Sequence, residues 1–283
     1  MTDHIPPEGA VLLHLRHLHT RNCRAQTIYN RRRSLARLAR WADGPILYLT
    51  GEQMLRWEDE RSDQISPAAR AAELSSVRQF FLWAVKQHLI DSDPTIECSM
   101  PRAPRRLPRP IADRDIAEAI ARAEPKVAAI IGLAAFAGLR AGEIARLDWA
   151  EVGFRDEPPM IRISDGKGGH SRLVPLSPAL ADLLHALPRA NGPVIPRGDG
   201  SRRENSPSAI SGISNRYLHA MGIDETLHQA RHRFGTTTYR ACQDIRAVQG
   251  LMGHASITST QIYTSPAAAV GLAAVMAASQ LSA

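Results

Sequence analysis

The sequence predicts a mainly α protein with a small antiparallel β-sheet in its second half, and three observations carry that reading. Apolar residues recur at helical spacing along most of the chain, with cap signals at the expected ends. The segments Met160–Ile163 and Arg172–Leu176 instead read as strands, joined by the turn Asp165-Gly166-Lys167-Gly168-Gly169-His170. Between Asp93 and Pro110 the prolines at 94, 101, 104, 108 and 110 alternate with Arg102, Arg105, Arg106 and Arg109. Such a stretch cannot continue a helix and forms an extended basic linker. The expected organisation is therefore an all-α four-helix domain over 1–93, a basic Pro-rich linker over 94–110, and an α+β domain over 111–283.

In the first domain, one helix is expected from about Glu8 to His19. A second begins near Thr27, with Ile28, Leu35 and Leu38 on one side and Arg33, Arg37 and Arg40 on another. Thr50-Gly51-Glu52-Gln53 has the form of a capping box and opens the third. Ser66-Pro67, an N-cap followed by proline at the first helical position, opens the fourth. That helix is expected to bury Val77, Phe80, Phe81, Ala84 and Val85 and to expose Arg70, Arg78 and Lys86. A run of charge on one helix is commonly a solvated face. Several basic stripes together, on Arg33, Arg37, Arg40 and Arg78, favour a surface that tracks phosphates.

The second domain opens with a helix near Ile111 and continues with the apolar segment Val127–Phe136. Gly138 is placed to end it, and Arg140 opens the next helix, to Leu147. A guanidinium beside free helix-start N–H groups is a ready anion site, although one such arginine alone also reads as a plain surface residue. The glycine-flanked turn lifts Lys167 clear of the sheet. A lysine there serves either solubility or protonation of a leaving oxygen. His228 and Arg231 lie one helical turn apart, and His232 follows. Asp244–Leu251 has helical spacing and is stopped by Gly253. His254 then sits in a turn, and Ser256 caps a short helix carrying Tyr263 near its end.

Composition narrows the partners. The chain has 283 residues, 35 Lys and Arg against 28 Asp and Glu, and a formal charge of +7, so a polyanion is the first partner to consider. The longest apolar run is too short to span a bilayer, so no membrane role is expected. Met1-Thr2-Asp3-His4 shows no signal-peptide pattern. Cys23, Cys98 and Cys242 are scattered and odd in number, which fits a reducing cytoplasm and no metal site.

At Gly138-Leu139-Arg140-Ala141-Gly142-Glu143, His228-Gln229-Ala230-Arg231-His232 and Gly253-His254 through Tyr263, the chain resembles the tyrosine recombinases of the phage integrase and Xer type. The resemblance implies that Tyr263 attacks the scissile phosphate to give a 3′-phosphotyrosyl bond. Arg140 and Arg231 then clamp the non-bridging oxygens, Lys167 protonates the 5′-oxygen, His228 assists proton transfer and His254 donates to the phosphate. Glu143 and His232 match supporting positions. Guanidinium and imidazole donors can neutralise the developing charge unaided, so neither cofactor nor metal is expected. Double-stranded DNA attachment or core sites, a homotetramer on DNA acting via a Holliday junction, and a directionality factor are the partners the resemblance allows for. With no segment for an arm-binding domain ahead of Glu8, the minimal two-domain form is expected. Two departures stand out: Ala230 replaces a leucine, and Arg233 a small hydroxyl residue. The alanine-rich tail from Pro266 to Ala283 either folds back on its own domain or, as in the family, docks into a neighbouring protomer. Type IB topoisomerase-like relaxation and a catalytically silent DNA-binding regulator are the alternatives.

Overall fold

A computed structural model describes residues 9–23, 25–101, 110–164, 171–198, 201, 203–253 and 267–280. The chain divides into two compact units, Met1–Arg106 and Leu107–Ala283.

The first unit is a bundle of α1 (Ala10–Thr20), α2 (Ala25–Trp41), α3 (Gly51–Ser62) and α4 (Pro67–Lys86). Its helix starts are those the sequence signals. The Thr50 hydroxyl accepts from the Gln53 N–H while the Gln53 side chain accepts from the Thr50 N–H, and the Ser66 hydroxyl accepts from the Ala69 N–H ahead of Pro67. Leu35, Leu38, Met54, Trp57, Leu74, Val77, Phe80, Phe81 and Ala84 form the core. Two of the basic residues do something other than face solvent. Arg78 donates to the Thr95 and Cys98 carbonyls, tying the segment after α4 back to that helix. Arg37 pairs with Glu73 at 2.5 Å, and Arg61 holds the same buried carboxylate. Arg70 is half-buried rather than exposed, whereas Arg33, Arg40 and Lys86 are exposed.

The second unit is built around α6 (Pro125–Ala137), whose residues from Ala128 onward are all buried. Around it pack α5 (Asp113–Arg122), α7 (Ala141–Arg146), α8 (Pro178–His185), α9 (Pro207–Ala220) and α10 (Leu227–Cys242). Because α6 is enclosed on every side, it can be apolar all round, which is the composition its sequence has. Gly138 ends it at φ +65°, and a Cβ there would lie 2.4 Å from Phe234 Cδ1, so both the backbone and the packing require glycine. The sheet is antiparallel: β1 (Val152–Gly153), β2 (Met160–Ile163) and β3 (Arg172–Pro175), in that order. Ile161 pairs with Val174 and Ile163 with Arg172. The two-residue β1 is too short to show periodicity, and sequence reading misses it.

After α10 come α11 (Ile245–Met252), capped by the Asp244 carboxylate, and α12 (Ala267–Ser279). The tail helix packs on its own domain, against α10, α6, α11 and β3, and buries Ala274, Val275 and Ala278. Arg233 is the reason for the fit. Fully buried on α10, it donates to the Ala278 carbonyl at 2.7 Å and the Gln280 carbonyl at 3.1 Å, and it pairs with Asp113. The unusual arginine at this position is thus a C-terminal cap for α12. Ala230, the other departure, is a small core residue.

Candidate active site

Glu143 is the centre of the site. It sits at the third position of α7, where its carboxylate accepts from the Arg140 backbone N–H at 2.7 Å and from Arg140 Nη1 at 2.9 Å. This reciprocal contact fixes both the helix start and the arginine, whose side chain remains 42% exposed and can reach a ligand. The Arg172 guanidinium, from β3, takes both carboxylate oxygens, Nη1 to Oε1 at 2.9 Å and Nη2 to Oε2 at 2.8 Å. Arg231, on α10, stands 3.7 Å from Oε2. Burial works to raise the carboxyl pKa. The Arg172 hydrogen bonds and charge, the Arg140 N–H and the Arg231 charge outweigh it and hold the group at about 2.

A buried carboxylate among guanidinium groups is costly to disrupt. Glu143→Gln is expected to destabilise this unit by about 3–5 kcal/mol, the usual result of removing one partner of a buried ionic set. The pH dependence follows from the sign of the shift. The folded carboxyl is depressed below its ordinary 4.5, so its contribution is present above that value and is lost as pH falls through about 2. Unfolding free energy measured against pH should fall less steeply between those limits in Glu143→Gln than in the parent. Equal slopes would remove Glu143 from this role.

The same arginines also cap α11. Helix-end carbonyls have no partner within the helix and carry the negative end of its dipole. Here the Leu251 carbonyl accepts from Arg172 Nε at 2.7 Å, the Met252 carbonyl from Arg231 Nη2 at 2.6 Å, and the Gly253 carbonyl from Arg140 Nη2 at 3.0 Å. Arg231 also donates through Nη1 to the Gly138 carbonyl, so it joins the ends of α6 and α11. Its own pKa is lowered to about 9, first by burial and then by Arg140, with Glu143 acting in the opposite sense.

His228 and His232 lie on the same helix as Arg231, their rings 4.4 Å apart and edge to face. His228 is in the first turn of α10, within a Thr226–Gln229 capping box. Burial, then His232, Arg231 and Arg140, lower its pKa; burial and Arg231 lower that of His232. Both rings are therefore neutral at pH 7 and able to accept a proton.

Among the predicted site residues, Arg140, Glu143, His228, Arg231 and His232 are therefore brought to one place. Lys167, His254 and Tyr263 lie outside the described residues. Arg172 is the site residue that sequence reading missed. Its signal was its register: period two puts it on the face of Val174, opposite Ile163, where a charge must find a partner. No group of three or more His, Cys, Asp or Glu among the described residues is placed to hold a metal ion, and no helix among them is long and apolar enough to cross a membrane.

Residues 113–269, more than half of the chain, match the phage integrase family. Tyrosine recombinase XerD of Xanthomonas campestris pv. campestris is 33% identical over 269 residues, covering 84% of this chain and 81% of that protein. Among solved structures, the integrase from mycobacterium phage Brujita is similar with a TM-score of 0.54 and 27% identity, covering 94% of this chain and 91% of that one. A lambda integrase tetramer bound to a Holliday junction shares the fold with a TM-score of 0.72 at 17% identity, over 90% of this chain and 78% of that one. The chain belongs to the phage integrase family and is a tyrosine recombinase.

Proposed function

We propose that this tyrosine recombinase cuts and rejoins double-stranded DNA at specific sites through a 3′-phosphotyrosyl bond to Tyr263. The phenol oxygen attacks the scissile phosphorus as the bond to the 5′-oxygen breaks. The phenolic proton passes to neutral His228, and Lys167 protonates the leaving oxygen. Arg140 and Arg231, with His254, donate to the non-bridging oxygens, where charge builds in the transition state. Rejoining is the reverse attack by a 5′-hydroxyl. The phosphotyrosyl bond keeps the energy of the broken linkage, so no nucleotide is consumed.

One observation carries this reading. Arg140 and Arg231 share the Glu143 carboxylate and cap consecutive carbonyls, Met252 and Gly253, directly before His254 in the chain. A guanidinium pair held by a common acid is preorganised for a phosphoryl group.

The unit formed by residues 111–283 is assigned the chemistry, and the helical residues 1–93 with the basic linker 94–110 are assigned to DNA binding. Within the helices Arg33 and Arg40 are the candidates for phosphate contact, since Arg37 and Arg78 are engaged with Glu73 and with the Thr95 and Cys98 carbonyls. A homotetramer working through a Holliday junction is proposed on the family's pattern. If protomers exchange α12, it must first leave the α10 face where Arg233 holds it.

Incubation with a nicked DNA carrying the recognition site, in EDTA and without nucleotide, is expected to yield a covalent complex that survives detergent. An absolute requirement for magnesium would overturn the proposed chemistry. Relaxation of supercoiled DNA without strand exchange would reassign the protein to topoisomerase-like activity.

A further inference from the structure

We propose that Arg172 is a positioning residue for strand cleavage, a buried spacer that holds the C-terminal turn of α11 at a fixed distance from Glu143 without touching DNA. The proposal rests on the reading of Tyr263 as nucleophile, because the chain passes from that turn to His254 and on to Tyr263.

The geometry of the guanidinium carries the argument. One edge of the planar group spans both oxygens of Glu143, at 2.9 and 2.8 Å, while Nε donates at 2.7 Å to the Leu251 carbonyl. Carboxylate and helix end are thereby held at different edges of one rigid, planar group. The side chain is 7% exposed, so it offers nothing to a substrate. Arg140 differs in being open to solvent, and Arg231 in standing 3.7 Å from the carboxylate, an ion pair beyond hydrogen-bond distance. Arg172 is the member of the set whose side chain alone holds both Glu143 oxygens at hydrogen-bond distance and the α11 turn as well; Arg140 reaches the second oxygen only through its backbone N–H.

Gly253 supplies an independent second contact. Its φ is +63°, and a Cβ there would stand 2.6 Å from Arg172 Nη1 and 3.0 Å from Cζ. The turn therefore lies against the guanidinium with no room for a methyl group. In sequence, Arg172 also comes five positions after Lys167. A single side chain thus links the strand after the proposed general acid to the turn before the proposed nucleophile.

A lysine cannot reproduce this arrangement. Its ammonium is a point donor on a flexible stem and cannot hold two carboxylate oxygens and a carbonyl in one plane. A small displacement of reacting groups is enough to slow chemistry strongly. Arg172→Lys and Gly253→Ala are each expected to lower single-turnover cleavage at saturating DNA by roughly 10- to 100-fold, with DNA affinity unchanged. Since both changes disturb one contact, the double variant should be little slower than the slower single one. Hydrogen exchange of the free protein should show faster exchange confined to the amides of residues 249–253 in both variants.

Parental cleavage rates in Arg172→Lys would overturn the proposal. So would a rate loss matched by an equal loss of DNA affinity and by faster exchange throughout the unit, which is the signature of a general structural role. If the parent forms no covalent complex, the functional reading fails, and the exchange pattern still decides whether Arg172 sets the α11 turn. If Arg172→Lys does not fold, Gly253→Ala carries the same test from the other side of the contact.

Discussion

Arg140→Ala and Arg231→Ala are each expected to slow single-turnover cleavage by about 100-fold or more, the loss seen when a preorganised donor to developing charge is removed. The two substitutions should differ in everything else. Arg140 is exposed, and its loss leaves the Gly253 carbonyl without a donor, while both Glu143 oxygens keep theirs in Arg172 and the residue-140 N–H. Arg231 is buried and holds the Gly138 and Met252 carbonyls, so Arg231→Ala leaves two buried acceptors unpaired. It should lower thermal stability as well as rate, whereas Arg140→Ala should lower rate with a smaller change in stability. Arg231→Lys restores the charge but not the forked geometry, and is expected to recover stability better than cleavage. Parental cleavage in either alanine variant would dismiss the clamp.

Much of this site is legible in the sequence because it rests on local signals. Gly138 and Gly253 announce helix ends by the positive φ that only glycine accepts cheaply, and the structure has them at +65° and +63°. Arg140 and Glu143 are three residues apart, a spacing at which neighbours on a helix start must meet. The Thr50 and Ser66 caps are equally local. What escapes is what depends on distant partners. Nothing near Arg172 tells that its carboxylate is Glu143 and its carbonyl Leu251. Period two puts its charge on the face of Val174, but which face is buried is settled only when the sheet is packed. Arg78 and Arg37 read as a basic surface because Thr95, Cys98 and Glu73 meet them only in the folded bundle. Arg233 reads as an oddity until α12 is found lying over α10, and only then does its burial make sense.

The central claim concerns Tyr263, and substitution by phenylalanine removes its attacking oxygen and nothing else. Tyr263→Phe should bind the recognition DNA with parental affinity, since the ring and the charges of the site are kept. It should form no covalent complex at all, because the oxygen assigned to attack the phosphorus is gone. The direct measurement uses a nicked DNA labelled on the 5′ side of the scissile phosphate, in the strand whose 3′ end becomes attached, followed by detergent treatment, proteolysis and identification of the labelled peptide. The account predicts that the label from the parent protein is carried by the peptide containing Tyr263, as a phosphotyrosine linked to the 3′ end, and that Tyr263→Phe carries none. A labelled, detergent-resistant complex from Tyr263→Phe, or a label mapped to another residue, would contradict it.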